Sequence, residues 1–144
     1  MKLVVGIDPG NERSGVSFWV DGELRWSMGY SPWDKKSRVP VLPYGPVQVY
    51  VEVPLIGAKK TMAGISFAAG MVVAVLSSVL SFSRKDVHKV QPRDWRKALG
   101  LPLKGPKDPY IEAALEWDPD VGDDHDRAEA VLIGRYGCVM EGYE

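Results

Sequence analysis

The dipeptide Asp21-Gly22 lies between two runs of residues that favour β-strands, Gly15 to Val20 and Glu23 to Tyr30. Asp and Gly tolerate the positive φ angles of a two-residue turn, so this pair favours a tight hairpin between antiparallel strands. An earlier apolar run, Leu3 to Ile7, ends at the turn signal Asp8-Pro9-Gly10. We therefore predict that the chain begins with an antiparallel meander of three strands.

A fourth strand is predicted from Val47 to Val53, where valine alternates with Gln48, Tyr50 and Glu52. This alternation places the three polar side chains on one face of the strand. Residues 31–46 contain four prolines, which exclude a regular helix of any length there. We expect an irregular connection between the third and fourth strands.

The second half of the chain predicts one more strand and four helices. The stretch from Thr61 to Ser83 contains no charged residue. Its many Ser and Gly residues, and the lack of a Trp/Tyr belt at its ends, indicate a buried helix rather than a membrane span. Ile65, Val72, Leu76 and Val79 form its apolar side. The remaining predicted elements are a short strand over Asp86–Val90 and helices over Pro92–Leu99, from Asp108-Pro109 to about Asp118, and from about Asp123 to Met140.

This order of elements predicts a single α/β domain over residues 1–144, with a mixed five-stranded sheet flanked by helices. The 144 residues are 45% hydrophobic and 26% charged, values typical of one globular domain. The lone Cys138 cannot form an intramolecular disulfide, which excludes a disulfide scaffold or a cysteine-rich zinc module and indicates a packing role. The N-terminus leaves no room for a signal-peptide core, so we expect a cytoplasmic protein.

Charge is distributed unevenly along the sequence. The segment from Arg84 to Lys107 carries eight Lys/Arg against two Asp, whereas the segment from Asp108 to Glu129 carries nine Asp/Glu against Arg127 alone. This asymmetry suits a protein that binds a polyanion with one surface and cations with another. The alternative interpretation is that two solvated segments of opposite charge attract each other.

Four carboxylates come from three separate elements. Asp8 follows the first strand, Glu52 lies near the end of the fourth, and Asp126 and Glu129 share one helix face at i,i+3 spacing. If they converge, each bare pair at about 4 Å would repel by roughly 4 kcal/mol at an effective dielectric of 20, which calls for bound cations. All-oxygen ligands suit Mg²⁺, and two such ions can assist phosphodiester hydrolysis.

Each carboxylate also has a structural interpretation. Asp8 could cap the turn that follows it. Glu52 could lie on an exposed face or have a charged partner. The cluster Asp123, Asp124, His125 and Asp126 could serve only as the N-terminal cap of the last helix.

Four segments together resemble the RuvC-type Holliday junction resolvases, which have a ribonuclease H-like fold. They are GIDPG at 6–10, VYVEVP at 49–54, VQPRDWRKALG at 90–100 and DDHDRAEAVLIGRYG at 123–137. The resemblance implies a homodimer that binds four-way DNA junctions and nicks two strands symmetrically. It also implies two Mg²⁺ ions per active site, with Mn²⁺ as a substitute, held by Asp8, Glu52, Asp126 and Glu129. A bacterial source, phage-encoded or from a mobile element, fits such a compact chain.

The sequence departs from the family pattern at several positions. Glu129 stands where the family usually has aspartate, and His125 competes with Asp126 as the third metal ligand. Leu55 occupies the position of the family's aromatic wedge, where an apolar side chain can still separate a base step but cannot stack as an aromatic ring does. The proline-rich connection replaces the family's first helix.

The basic segment supplies candidate DNA-binding residues, which together with Leu55 are Lys85, Lys89, Arg93, Arg96, Lys104 and Lys107. Phosphate contacts of this kind would make affinity fall with salt and depend little on sequence. We expect Lys104 and Lys107 to lie in a flexible loop near the scissile phosphate. Trp95 is predicted to be a packing residue, with Arg93 and Arg96 outside.

Three other functions compete with junction resolution. Another ribonuclease H-like nuclease could cut branched DNA or an RNA/DNA hybrid with the same carboxylates. A non-catalytic junction-binding protein would show no magnesium-dependent cleavage. An actin-like or sugar-kinase-like nucleotide-binding module is disfavoured, because such proteins need two domains around the nucleotide and this chain has the length of one.

Overall fold

The computed structural model describes residues 1–10, 12–34, 37–39, 45–53 and 59–144, with only the backbone described over residues 59–68. Leu55 lies outside the described residues, so the wedge prediction stays a prediction. Of the expected irregular connection, residues 31–34, 37–39 and 45–46 contain no helix or strand.

Five strands form one mixed sheet in the order β3-β2-β1-β4-β5. Strands β1 and β2 pair antiparallel, as do β2 and β3, whereas β4 pairs parallel with both β1 and β5. At the β2–β3 turn, Asp21 has φ of 50° and Gly22 has φ of 84°, the left-handed region that a tight hairpin requires. The predicted meander and mixed sheet are confirmed. The strands are β1 (Leu3–Asp8), β2 (Ser14–Val20), β3 (Glu23–Tyr30), β4 (Val47–Glu52) and β5 (Val87–Val90).

The four predicted helices are present, with shifted ends. The helices are α1 (Lys59–Leu80), α2 (Pro92–Ala98), α3 (Asp108–Leu115) and α4 (His125–Met140). Helix α3 ends before the predicted Asp118, because the Asp118 side chain accepts a hydrogen bond from the Asp120 amide and starts a separate 3-10 turn. Helix α3 begins at Asp108, as predicted, with Pro109 in its first turn. Asp124 caps α4, so the helix begins later than Asp123.

The helices cover the sheet on both faces. Helix α1 packs on one face, where odd-numbered residues of β1 and β4 such as Val5 and Val49 point. Helices α2, α3 and α4 cover the other face with the even-numbered residues, such as Val4 and Tyr50. This period of two is the geometry of a strand buried on both sides.

The buried stripe of the long apolar helix α1 differs from the predicted one at Val79, while the side chain of Ile65 lies outside the described residues. Val72 and Leu76 are buried, but Val79 is 50% exposed. The prediction for Val79 is wrong because the buried stripe continues through Leu80, four residues after Leu76. No helix within the described ranges is long and apolar enough to cross a membrane.

Helix α4 lies in backbone contact with the sheet because glycines line the contact. An added Cβ at Gly6 would stand 2.6 Å from the Gly134 Cα atom and would overlap the Ala130 carbonyl. A Cβ at Gly15 would likewise overlap the Asp126 carbonyl. Ser17 fixes the contact by donating a 2.6 Å hydrogen bond from Oγ to the Ala130 carbonyl oxygen. The first two turns of α4 are thereby held over the carboxyl end of β1.

Candidate active site

Asp8 and Glu52 meet at the carboxyl ends of two neighbouring parallel strands. The register of β1 with β4 ends with Ile7 opposite Val51, and Asp8 and Glu52 follow these residues on their strands. Both are even-numbered and therefore point to the face that α4 covers. Glu52 therefore lies beside Asp8, on the face of β4 that the sequence predicts it to share with Gln48 and Tyr50.

Helix α4 brings Glu129 to the same place. Glu129 is 6% exposed, and Asp8 is 7% exposed. After burial itself, the charge of Glu129 is the largest influence that raises the pKa of Asp8. Two elements far apart in sequence thus form a buried carboxylate pair.

Asp8 is buried among like charges. Burial raises the pKa of Asp8 well above its ordinary value of 3.8, and the charges of Glu129, Glu52 and Asp126 raise it further. Asp8 forms no salt bridge with any described residue. Of the turn that Asp8 could cap, the Gly10 amide donates to Ser14 Oγ at 3.2 Å.

Glu52 is held by an indole. The Trp95 Nε1–H group donates to Glu52 Oε2 at 2.6 Å. Burial raises the pKa of Glu52 and the Glu129 charge acts in the same direction, whereas the Trp95 hydrogen bond lowers it. Glu52 therefore has a neutral hydrogen-bond partner, and the charges of Arg96 and Lys107 also lower its pKa.

Glu129 is held by two cations from the basic segment. The Lys107 ammonium group forms an ion pair with Glu129 Oε1, and Arg96 Nη2 lies 3.7 Å from the same oxygen. The prediction that Arg96 lies outside is wrong. Its side chain is 18% exposed, because the guanidinium packs over the rings of Trp95 and Tyr110 at 5.2 and 4.8 Å. For these two cations, the basic and acidic segments do attract each other.

Asp126 sits at the edge of the cluster, in the first turn of α4. Arg13 forms a bidentate ion pair with Asp124, at 2.6 and 3.2 Å, and its Nη1 lies 3.8 Å from Asp126 Oδ2. Burial and the Asp124 charge raise the pKa of Asp126, while Arg13 opposes them. His125 is exposed. Asp126, unlike His125, contributes to the field that raises the pKa of Asp8.

The site fits a hard divalent cation in its donor chemistry. Its donors are carboxylate oxygens, and Asp8 is a buried carboxylate without a cationic partner in the described part of the chain, the arrangement that a bound metal ion stabilises. No three His, Cys, Asp or Glu side chains of the described residues form a preassembled metal cage. Glu129 would have to exchange its contacts with Lys107 and Arg96 for a metal ion.

The remaining candidate DNA-binding residues lie on the surface. Lys85, Lys89, Arg93 and Lys104 are all exposed, with the Arg93 side chain 76% exposed. Lys107 reaches the carboxylates although its side chain is 46% exposed. The structure thus brings Lys107 to the site and leaves Lys104 in the exposed stretch before α3.

The sequence missed several contacts around the carboxylates. Trp95 is fully buried, as predicted for a packing residue, but its hydrogen bond to Glu52 was not anticipated. Nothing in the sequence marks the contact between Tyr110 and Arg96. Arg13 could have been found, since it follows Asp8 in the same short connection, opposite the acidic start of α4.

Comparison with known proteins shows which solved structures share this fold. No protein-family model matches the sequence, and no curated protein matches it. Thermus thermophilus RuvC in complex with a Holliday junction substrate is similar in structure, with a TM-score of 0.66, 16% identity, and 98% of this chain and 96% of that chain covered. A second Thermus thermophilus RuvC structure gives a TM-score of 0.66 and 16% identity over 96% and 95% of the two chains. Fowlpox virus resolvase in complex with Holliday junction DNA is similar with a TM-score of 0.52 and 11% identity, and the match covers 97% of this chain and 99% of that chain. The chain therefore has the RuvC-type, ribonuclease H-like fold that its sequence motifs predicted.

Proposed function

We propose that the protein is a structure-selective endodeoxyribonuclease that resolves four-way DNA junctions by paired symmetric nicks. The observation that carries this proposal is the convergence of Asp8, Glu52 and Glu129, with Asp126 beside them, at the carboxyl ends of β1 and β4. Two of the similar structures are bound to Holliday junction DNA. The same fold with a carboxylate cluster at this place supports the same class of substrate.

The four carboxylates would hold two Mg²⁺ ions, with Mn²⁺ as a substitute. Such ions supply an activated water and stabilise charge on the leaving oxygen of a phosphodiester. Asp8 is the central ligand in this proposal, since the charges of the other three carboxylates all act on it. Lys107, once separated from Glu129, is placed to neutralise charge on the scissile phosphate.

Paired nicks require two copies of the site on one junction, so the proposal includes a homodimer. The exposed cations Lys85, Lys89, Arg93 and Lys104 would contact phosphates and contribute affinity without sequence preference. Such contacts suit a substrate that is recognised by its branched shape.

The test is cleavage of a synthetic four-way junction with and without Mg²⁺, beside linear duplex, fork and RNA/DNA hybrid. Asp8→Asn removes the proposed central ligand and should abolish nicking while leaving junction binding intact. Asp120→Asn is the matched control, because Asp120 is an exposed aspartate outside the site, and it should nick at the wild-type rate. Full activity of Asp8→Asn would refute the proposed metal site.

The substrate comparison separates the competing functions. Paired symmetric nicks confined to the junction support a resolvase, and a 2:1 complex of protein with junction supports the homodimer. Preferential cleavage of the hybrid or the fork would retain the metal site and assign the protein to another ribonuclease H-like nuclease. Junction binding without cleavage of any substrate would make it a binding protein.

A further inference from the structure

The two glutamates of the site are held by different chemistry. Glu129 contacts two cations, Lys107 and Arg96, which offset its charge. Glu52 accepts a hydrogen bond from the neutral indole of Trp95 at 2.6 Å. The indole N–H is a donor without a charge of its own, so this hydrogen bond fixes one oxygen of Glu52 without forming an ion pair with it.

Trp95 is itself firmly placed. Its side chain is fully buried and meets the Tyr110 ring edge to face, with 5.6 Å between centroids. The Arg96 guanidinium covers the indole at 5.2 Å, and the Tyr110 hydroxyl donates to the Pro102 carbonyl at 2.5 Å. An indole packed in this way has one orientation, and its N–H direction is therefore set before any ligand arrives.

We infer that Trp95 is a positioning residue whose indole N–H orients Glu52 for a divalent metal ion. The inference rests on the metal site of the proposed function. The hydrogen bond engages Oε2 and leaves Oε1 free of Trp95, so the flexible glutamate side chain does not have to be ordered when the ion binds. Groups that orient a metal ligand in this way typically change metal affinity by about 10- to 100-fold when they are removed.

A buried tryptophan also stabilises the fold, and the test must separate the two roles. Trp95→Phe removes the donor and keeps most of the aromatic packing. Trp19→Phe is the matched control, because Trp19 is equally buried and its Nε1–H donates at 3.2 Å to the Ser17 hydroxyl rather than to a carboxylate. Both variants should lower the melting temperature, whereas only Trp95→Phe should affect the metal.

The experiment measures Mn²⁺ binding to the purified proteins at equilibrium, by electron paramagnetic resonance of the free ion, and Mg²⁺-dependent junction nicking in parallel. We expect Trp95→Phe to raise the half-saturating Mn²⁺ concentration about 10- to 100-fold and Trp19→Phe to change it less than twofold. In a Glu52→Asp background, whose shorter side chain withdraws from the indole, Trp95→Phe should have no further effect.

The outcomes distinguish this inference from the proposed function. Equal Mn²⁺ binding by Trp95→Phe and Trp19→Phe would overturn the positioning role even if the wild type nicks junctions. Weakened Mn²⁺ binding by Trp95→Phe alone would support it even if no junction is nicked. A wild-type protein that binds no Mn²⁺ would overturn it outright, as would an undiminished effect of Trp95→Phe in the Glu52→Asp background.

Discussion

Replacement of Gly6 by alanine tests the claim that close packing of α4 on the sheet builds the site. The added Cβ would stand 2.6 Å from the Gly134 Cα atom, and ordinary contact begins at 3.4 Å. The helix backbone would therefore have to withdraw by about 0.8 Å or more, since neither the β1 backbone nor the α4 backbone can rotate away as a side chain can. Glu129 would move with the helix, away from Asp8.

The expected cost has two parts. Overpacking of this kind destabilises a protein by about 1–3 kcal/mol, which for a domain of this size lowers the melting temperature by roughly 2–4 °C per kcal/mol. A displacement of about 1 Å between catalytic groups can reduce a reaction rate about 100-fold. We therefore expect Gly6→Ala to remain folded, to melt at a lower temperature and to nick junctions about 100-fold more slowly.

The assay combines thermal unfolding with junction nicking, and Gly70→Ala in α1 is the matched control. An added Cβ at Gly70 meets nothing within 4 Å, so alanine there should stabilise the helix by about 0.5–1 kcal/mol and leave nicking unchanged. A Gly6→Ala protein with the melting temperature and nicking rate of the wild type would refute the role of this contact in building the site.

Three further predictions concern charge. Asp8→Asn should raise the melting temperature of the metal-free protein, because it removes a buried carboxylate. The raised pKa of this carboxylate makes the stability of the wild type fall as pH rises from 3.8 through the folded-state pKa. Equal dependence of the melting temperature on pH in variant and wild type would contradict this. Burial raises the pKa of the Cys138 thiol to about 12, so iodoacetamide at pH 8 should modify it only after unfolding, and rapid labelling of the native protein would refute the burial. Lys107→Gln should slow nicking more than it weakens junction binding. Arg93→Gln, at an exposed residue, should weaken binding and reduce the slope of log affinity against log salt concentration by about one. If both changes weaken binding equally and leave the nicking step unaffected, Lys107 has no role in the cleavage chemistry.

Local sequence information was sufficient for the strands and for the face of each strand that carries the polar residues. The Asp21-Gly22 turn and the alternation in β4 act over a few residues, because a turn needs particular φ angles and a strand has a period of two. The turn signal Asp8-Pro9-Gly10 places Asp8 at the end of β1, and the alternation places Glu52 near the end of β4. The i,i+3 spacing of Asp126 and Glu129 likewise follows from helix geometry alone.

Helix ends were predicted less well, because caps depend on hydrogen bonds that the sequence does not show. The Asp118 side chain accepts a hydrogen bond from the Asp120 amide, so the segment that the apolar periodicity assigned to α3 does not remain helical to Asp118. Val79 was misplaced for a related reason: its apolar character fits a buried stripe, but the sheet beneath α1 contacts Leu80 instead.

The sequence by itself determined the order of the strands and helices and the presence of four carboxylates on strand ends and one helix face. Only the tertiary structure decided which groups hold those carboxylates: Trp95 for Glu52, and Lys107 with Arg96 for Glu129. Periodicity is a property of neighbours along the chain, and it carries no information about which residue of α2 or of the segment before α3 comes within hydrogen-bond distance of a strand end. That distance is set by the backbone contact of α4 with Gly6 and Gly15 and by the packing of α2 and α3 on the same face, which involve the whole sheet.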